Sequence, residues 1–378
     1  MSQVNKKVEG VEPPQQVRYS SSRRSLGLGL AISVLCIYLV IFRPEVSKLL
    51  KGEENLFQAL FGHPRVDWGL LWTTITEINI LPLFVSFLFY PLQILVRAWR
   101  WSLLVAPAGK LRIMDGFRLH MIGYLMNSIL PLKMGEVVRG LLMVRVTTIP
   151  VTTAVGTVFV ERLVDMVSFL LLIGGTALVF PYPKTLTEIF WGLTFITGVA
   201  IWGVIFLTFN KNPYRGWLGR LLGGKLWGRK IRRHIDRFIH GLSSLKETHR
   251  FASITLSTIA IYIIAIAQLG FLLMAFHIGS KHPLVGAPLV LALIVIFLIE
   301  TLGISVPSGP SGLGTYHASV LVALSLFDIP SEVALGTALI GHASIVVFSL
   351  LGVIPMWSMG LRWRELVRLP SPTLSNRG

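Results

Sequence analysis

Residues 127–139 read N-S-I-L-P-L-K-M-G-E-V-V-R, and residues 161–165 read E-R-L-V-D. Both stretches lie beside long apolar runs, yet they carry six ionisable side chains: Lys133, Glu136, Arg139, Glu161, Arg162 and Asp165. A charged side chain at membrane depth is costly and normally faces a cavity or a pathway. We therefore predict that these residues form a polar site inside a bundle of membrane helices.

The composition of the whole chain supports a membrane location. Its 378 residues are 53% hydrophobic and only 14% charged, whereas soluble domains carry about 25% charged residues. The net charge of +17 comes mostly from basic residues beside the apolar runs, where they set topology and attract anionic lipid rather than nucleic acid. The single cysteine, Cys36, lies in the first apolar run, which excludes an intramolecular disulfide and a zinc cluster.

Apolar runs and their flanking charges predict eight membrane-spanning helices with both termini in the cytoplasm. The predicted spans cover residues 26–42, 78–96, 151–180, 189–209, 252–276, 285–305, 313–327 and 333–356. If the short run at 313–327 does not span, we expect seven crossings and an external tail, against the cytoplasmic preference of basic residues. We keep eight spans, in an all-α, polytopic helical membrane fold with one or two re-entrant or broken segments.

The chain is predicted to form one membrane domain over residues 25–360. The polar residues 1–24 are predicted to be disordered and cytoplasmic, and the tail at 361–378 to be cytoplasmic. Residues 210–250 hold eleven Lys or Arg against two acids, interleaved with apolar residues. That pattern predicts a basic amphipathic segment on the inner leaflet. The linker at 43–77 is predicted to lie outside with an interfacial helix, since two tryptophans lie near its end.

The segment at 116–132 does not fit a simple span. It is fairly apolar but contains His120 and Asn127, it stops at Pro131, and Gly135 follows. A short helix, a Pro/Gly break and a second charged helix predict a re-entrant hairpin, in which irregular backbone is buried in protein or faces water. The alternative is an amphipathic helix on the membrane surface.

A second Pro/Gly break, P-S-G-P-S-G-L-G at 307–314, lies between two apolar runs. It lacks the Lys-Ser/Thr of a P-loop, so nucleotide binding is not expected. Together with the break at 130–140 it gives a weak two-fold echo. Paired interrupted segments are typical of transporters whose binding sites are built from half-helix ends.

The charges in the second quoted stretch share one helix face. Glu161 and Asp165 are four residues apart, and Arg162 is three from Asp165. This triad either pins helices together or orients a further cation, Arg139 or Lys133, toward a ligand. For Lys133 and Arg139 we favour ligand contact, because cations outnumber acids nearby.

The first quoted stretch suits an anionic group. A Pro/Gly break frees backbone N–H groups, a helix N-terminus adds partial positive charge, and Lys and Arg supply donors. Arg97 and Arg100 are further candidates. Arginines just beyond a span usually mark only the cytoplasmic boundary, and we expect that for at least one of them.

Three ionisable residues lie in the later apolar runs. Glu300 is a lone carboxylate, which is either protonated and hydrogen-bonded or changes charge and couples ions. His317 and His342 form a proton-responsive pair or serve only as hydrogen-bond donors between helices. Hydrolase and zinc-enzyme motifs do not occur, so no catalytic residue is predicted.

Four motifs together resemble the lysylphosphatidylglycerol synthase transmembrane-region family, also called flippase-like domain proteins. They are R-A-W-R-W at 97–101, N-S-I-L-P-L-K-M-G-E-V-V-R at 127–139, E-R-L-V-D at 161–165 and P-S-G-P-S-G-L-G at 307–314. The resemblance covers most of the chain. It implies a helical inner-membrane protein, similar to a module that moves anionic or aminoacylated phospholipid between leaflets. The soluble aminoacyl-transferase domain of multidomain members is not expected here, so we expect no enzyme activity.

The family pattern carries over to individual positions: Pro131, Lys133, Gly135, Glu136, Arg139, Glu161, Arg162, Asp165, Pro307, Gly312 and Gly314. Two positions depart from it. The family commonly has arginine where Lys133 stands, which removes a planar two-pronged donor. It also commonly has an acid shortly after Gly-Leu-Gly, where this chain has His317.

We therefore expect a multi-pass protein of the plasma (inner) membrane that binds and translocates an anionic phospholipid or a polyprenyl-phosphate-type lipid. The expected substrate-binding residues are Arg97, Arg100, Asn127, Lys133, Glu136, Arg139, Glu161, Arg162, Asp165, Glu300, Gly312, Gly314, His317 and His342. The alternatives are a secondary transporter of a small soluble anion and an accessory scaffold for a lipid-modifying enzyme. No cofactor, metal or nucleic-acid partner is expected, and a homo-oligomer is allowed.

Overall fold

The computed structural model describes residues 23–42, 44, 48, 55–62, 64–130, 133–209, 248–306 and 308–363. Within these ranges the chain is helical apart from turns and isolated β-bridges. The prediction of an all-α, polytopic membrane fold is confirmed. The predictions for residues 1–22, for the basic segment at 210–247 and for the tail from 364 onward fall outside the described residues.

The helices follow one another along the chain with short connections. The first seven are α1 Arg23–Ile41, α2 Leu56–Phe61, α3 Trp68–Thr76, α4 Ile80–Val105, α5 Ile113–Ile129, α6 Gly135–Leu142 and α7 Val151–Ala177. The others are α8 Lys184–Phe209, α9 Thr248–Ala275, α10 Leu289–Ser305, α11 Thr315–Ser325, α12 Ser331–Leu350 and α13 Val353–Ser358. Short 3-10 turns follow α6 and precede α11.

In the described part of the chain, three helical stretches are long and apolar enough to cross a membrane: Ile80–Val105, His249–Ala275 and Ser331–Ser358. The helix α10 has 17 residues, and at a rise of about 1.5 Å per residue it is about 25 Å long. The helix α11 has 11 residues and reaches only about 16 Å. Both are shorter than a hydrocarbon layer of about 30 Å. The total of eight full crossings stays a prediction.

The predicted helix–break–helix at residues 113–142 is present, and we call it hairpin 1. Its helices α5 and α6 run back along each other. The Gly135 backbone N–H donates to Asn127 Oδ1 at 2.8 Å. A Cβ at Gly135 would lie only 1.9 Å from the Gly123 carbonyl oxygen, so the two backbones are in direct contact. The alternative of a single amphipathic surface helix does not fit this fold.

A second pair of helices, α10 and α11, forms hairpin 2 at residues 289–325. A Cβ at Gly303 would lie 2.1 Å from Ser319 Oγ, so these helices are also closely packed. In the turn, Ser311 has φ 58° and Gly312 has φ 75°. Because the chain enters and leaves this hairpin at one end, a non-spanning α11 does not move the tail outside. The expected link between seven spans and an external tail was therefore wrong.

Helix α1 covers the turn of hairpin 2. The Gly309 backbone N–H donates to Ser33 Oγ at 2.9 Å, across 276 residues of sequence. A Cβ at Gly314 would lie 2.5 Å from the Ser33 carbonyl oxygen. The glycines of the turn thus allow the first helix to lie directly on its backbone.

Two predicted boundaries differ from the structure. Helix α4 continues to Val105 rather than ending at 96, so Arg97 and Arg100 lie within it. The last span is divided after α12, because Gly352 lies where a Cβ would be 2.4 Å from the Met121 carbonyl oxygen. This close approach brings the end of α12 against α5.

The expected interfacial helix in the linker corresponds to α3. Asp67 caps it by accepting from the backbone N–H groups of Gly69 at 2.8 Å and Leu70 at 3.1 Å. Trp68 and Trp72 are exposed on it, as amphipathic rings at a membrane surface would be.

Candidate functional site

Glu161, on α7, lies at the centre of a buried network of charged groups. Its side chain is fully buried. Oε2 lies 2.9 Å from Arg139 Nη2, and Oε1 lies 3.3 Å from Arg100 Nη2. These contacts join α7 to α6 and to α4. An ionised group is tolerated at this depth only when it is paired and hydrogen-bonded, and Glu161 meets both conditions.

Asp165, one turn further along α7, gathers a second set of arginines. Its carboxylate lies 2.6 Å from Arg100, 3.2 Å from Arg162 and 3.7 Å from Arg97. The predicted shared face of Glu161 and Asp165 is present, since both carboxylates contact Arg100. The predicted three-residue contact between Arg162 and Asp165 is present as well.

Arg97 and Arg100 do not mark a membrane boundary, and that expectation was wrong. Arg100 is fully buried and donates to Thr258 Oγ1 of α9 at 3.2 Å, in addition to its carboxylate contacts. The side chain of Arg97 is only 18% exposed. The carboxylates of α7 compensate both charges, so α4 carries them inside the bundle.

Arg139 is held by aromatic neighbours that sequence reasoning missed. Its guanidinium lies 4.6 Å from the ring centroid of Trp101 and contacts His120 Nε2. His120 Nδ1 lies 2.8 Å from the Gly116 carbonyl oxygen. On this hydrogen-bond pattern we assign the proton to Nδ1, which leaves Nε2 to accept from Arg139. The spacing of residues 116, 120, 123 and 127 along one face of α5 could have identified His120.

Arg162 connects α7 to the start of α6. Its Nε lies 3.3 Å from Glu136 Oε2. Together with the Arg139–Glu161 pair, this contact fastens hairpin 1 to α7 by charge. Hairpin 1 is therefore held in place through the same residues that the sequence singled out as ligand contacts.

A cavity of about 630 Å³ opens beside this network. Its charged lining residues are Arg97, Lys133, Glu136, Arg139, Arg162, Asp165 and Glu300. The breaks of both hairpins reach it, through Leu130 and Lys133 on one side and Ser308–Gly312 on the other. The predicted meeting of the two interrupted segments at one place is therefore what the structure has.

Cations outnumber carboxylates at the hairpin 1 end of the cavity. Five basic residues (Arg97, Arg100, Lys133, Arg139 and Arg162) lie with three acids (Glu136, Glu161 and Asp165) in the lining or directly behind it. Lys133 faces Glu136 and Arg162 but forms no ion pair with any residue that the structure describes. The excess of positive charge makes this end of the cavity complementary to an anion.

Lys133 also lies at the mouth of the cavity. Among the described lining residues, Lys133, Ser305 and Val306 are the exposed ones, and they belong to the two breaks. Lys133 has φ 54°, in the left-handed region that non-glycine residues rarely adopt. The mouth thus lies between the hairpin breaks, with one lysine held there by an unusual backbone conformation.

The walls of the cavity beyond the charges are apolar. They include Met166, Phe169, Leu193, Phe297 and Ile304. Such walls can cover hydrocarbon but gain nothing from a small hydrated ion. One compartment therefore offers cations to a polar group and apolar surface to a chain.

The remaining predicted site residues are divided between the cavity and its surroundings. Asn127, Glu300 and Gly312 line it. His317 and His342 are buried outside the lining, with their ring centroids 4.9 Å apart. Gly314 contacts α1 instead, as described above. Whether any of these residues binds a ligand stays a prediction.

Comparison with known proteins agrees with this architecture. The family described as "Lysylphosphatidylglycerol synthase TM region" matches residues 27–352. The UPF0104 membrane protein MJ1078 of Methanocaldococcus jannaschii is 27% identical over 228 residues, which is 59% of this chain and 90% of that protein. No solved structure matches the chain. Since the family match covers most of its length, the chain belongs to the lysylphosphatidylglycerol synthase transmembrane-region family, and it is an integral membrane protein.

Proposed function

We propose that this family member binds the phosphate-bearing head group of an anionic lipid in the cavity and moves that lipid between the leaflets of the membrane. The observation that carries the proposal is the single compartment with excess cations at one end and apolar walls beside them. We further propose that the protein resides in the plasma (inner) membrane with both termini cytoplasmic, and that its role is transport rather than catalysis.

Lys133 is the first contact that we assign to the head group. It is exposed at the mouth and has no carboxylate partner among the described residues, so its charge is available. Arg139 and Arg162 lie deeper and are already paired with Glu161 and Glu136. A phosphate would reach them only by competing with those carboxylates, because charge-assisted bonds to arginine are strong and two-pronged.

The exchange of partners gives the site a way to respond to its ligand. Glu136–Arg162 and Glu161–Arg139 fasten hairpin 1 to α7. A phosphate that takes up either arginine weakens one of these links. We propose that hairpin 1 is then released from α7 and that this motion carries the head group past the network.

The apolar walls favour a lipid over a small soluble anion. A soluble anion would need the cations but not the cluster of Phe169, Phe297 and their apolar neighbours in the same compartment. An acyl chain would cover those side chains at about 25 cal/mol for each square ångström removed from water. The second candidate, transport of a soluble anion, is therefore kept as an outcome of the test.

The test is a leaflet-exchange assay with a fluorescent phosphatidylglycerol analogue in vesicles that contain the purified full chain. Lys133→Gly removes the charge and suits the positive φ, so folding is preserved. The loss of one charge-assisted contact, worth about 1.5–3 kcal/mol, predicts that exchange falls about tenfold or more. Lys133→Arg is expected to retain exchange.

The matched control is Lys184→Ala, since the Lys184 side chain is 92% exposed and lies outside the cavity lining. Equal exchange rates for Lys133→Gly and Lys184→Ala would remove Lys133 from the mechanism. If wild-type vesicles move inorganic phosphate but not the lipid analogue, the soluble-anion function replaces the lipid function.

A further inference from the structure

The end of the cavity opposite the arginine network carries one acidic group. Glu300 lies on α10 inside the run L-V-L-A-L-I-V-I-F-L-I-E, and its side chain lines the cavity. It forms no ion pair with a lysine or arginine that the structure describes. A carboxyl group at membrane depth without a cation is expected to exchange a proton rather than to hold a permanent charge.

The groups around Glu300 come from every neighbouring element. Tyr90 of α4, Tyr124 of α5, Gln268 of α9 and Tyr316 of α11 share its part of the lining. The Tyr316 hydroxyl interacts directly with the Glu300 carboxyl group. The charged groups in the same cavity are those of the network on α4, α6 and α7 and Lys133 at the mouth.

Behind Tyr316 lie two buried imidazoles. The Tyr316 ring centroid is 5.6 Å from that of His342 and 5.8 Å from that of His317. His317 Nδ1 accepts from the Gly314 backbone N–H at 3.4 Å. The His342 residue is 7% exposed, and its Nε2 has no hydrogen-bond partner in the described structure. A buried ring nitrogen without a partner is costly, and it is a place where a proton can be held.

We propose that Glu300, with Tyr316 and His342 behind it, forms a proton-binding site whose occupancy is coupled to anion binding at the other end of the cavity. The inference rests on the proposed function and adds its energy source, a proton gradient. The Glu300 carboxylate takes a proton from water in the cavity and becomes a neutral carboxylic acid. The same proton returns to water when the carboxyl group ionises.

The coupling follows from the charges of one shared compartment. Protonation of Glu300 removes one negative charge and increases the excess of cations by one, so an anion binds more tightly. Reciprocity requires that a bound anion favours proton uptake by the same factor. Proton and anion therefore enter together, and loss of the proton on the side of higher pH promotes release of the anion.

The experiment measures the affinity of dihexanoyl phosphatidylglycerol for the purified full chain from about pH 5 to about pH 8. Uptake of one proton with each anion predicts that affinity rises as the pH falls, by at most about tenfold per pH unit. Glu300→Gln mimics the protonated state, so we expect tight binding without pH dependence. In vesicles with a pH gradient, this variant is expected to lose gradient-driven exchange of a fluorescent phosphatidylglycerol analogue.

Two further variants make the result specific. Glu300→Asp keeps a titrating carboxyl group and is expected to retain the pH dependence, which guards against a fold defect in Glu300→Gln. Glu77→Gln is the matched control, because Glu77 pairs with Lys281 at 3.0 Å on an exposed surface away from the cavity. We expect it to behave as the wild type does.

The outcomes separate the inference from the function on which it rests. Wild-type protein that binds the lipid with the same affinity at every pH overturns the proton site but not the lipid function. Wild-type protein that binds no lipid at any pH overturns the lipid function itself. Full pH dependence in Glu300→Gln, whatever His342→Asn does, removes Glu300 as the acceptor.

Discussion

The two hairpins reach the same cavity with opposite chemistry. Each is an apolar helix that breaks at proline and glycine residues, and each has one glycine, Gly135 or Gly303, in close backbone contact with its partner helix. Hairpin 1 carries Lys133, Glu136 and Arg139 and is held to α7 by ion pairs. Hairpin 2 carries no lysine or arginine in its described residues and is held by hydrogen bonds and small side chains.

The difference separates two roles that a transporter must combine. Ion pairs can be exchanged for a charged ligand, so hairpin 1 is suited to bind and to respond. The hydrogen bonds between the hairpin 2 turn and α1 have no charged ligand to compete with them, so hairpin 2 is suited to hold its shape. We therefore expect substitutions in the ion-pair network to affect stability and ligand response together, and substitutions around hairpin 2 to affect stability alone.

The largest effect is expected for Glu161→Gln. This change leaves Arg100, Arg139 and Arg162 with one fewer buried carboxylate, and a broken buried pair costs about 3–5 kcal/mol. The measurement is denaturant unfolding of the purified protein in detergent micelles. It tests whether the charge network is the main support of hairpin 1.

The control for that change is Glu188→Gln, which removes an exposed carboxylate 4.0 Å from Lys184 on α8. A surface pair of this kind contributes under about 0.5 kcal/mol. Similar losses of stability for the two variants would show that the network contributes little, and the contrast between the hairpins would then lose its basis.

Gly135→Ala is expected to have the next largest effect. Its Cβ would lie 1.9 Å from the Gly123 carbonyl oxygen and 2.6 Å from Asn127 Oδ1, so α6 must move away from α5. Overpacking of this kind costs about 1–3 kcal/mol. Arg139 would move with α6, so we expect lipid exchange to fall as well as stability.

Gly174→Ala is the matched control, because nothing lies within 4 Å of its Cβ position in α7. It is expected to be neutral or to stabilise the helix by up to about 1 kcal/mol. A Gly135→Ala protein with wild-type stability and exchange would mean that the contact within hairpin 1 is not needed.

Ser33→Ala is expected to have the smallest effect. It removes the acceptor of the 2.9 Å bond from the Gly309 backbone N–H, which lies in the turn of hairpin 2. A buried donor left without its partner costs about 1–3 kcal/mol. We expect a loss near the lower end of that range, with lipid binding unchanged, measured by unfolding and by a binding titration.

Its control is Ser325→Ala on α11, where the hydroxyl group bonds only to the Val322 carbonyl of its own helix. If Ser33→Ala weakened lipid binding as much as Lys133→Gly does, hairpin 2 would be part of the binding surface. The division of roles between the hairpins would then be wrong.

Local patterns in the sequence predicted the parts of the site that depend on helical period and on chain breaks. Glu161 and Asp165 share a face because four residues make about one helical turn. The break at Pro131–Gly135 gave a hairpin because proline and glycine end a helix and free backbone groups. Both inferences need only residues that are near in sequence.

The errors arose where a distant residue changes the meaning of a local one. Hydropathy falls at Arg97, so the span was expected to end there. The helix continues because Asp165 and Glu161, on another helix, compensate for Arg97 and Arg100. His120 was overlooked as a site residue for the same reason, since its importance comes from Arg139 in the facing helix.

The contact between α1 and hairpin 2 has a consequence for how the protein is made. Ser33 is synthesised 276 residues before Gly309, and at about 5–20 residues per second a ribosome needs roughly 14–55 s to cover that distance. Throughout that interval the first helix waits in the bilayer without its partner. The wall of the compartment that it supports is thus completed only as translation ends, so a chain that stops early leaves a bundle whose polar interior is open to lipid.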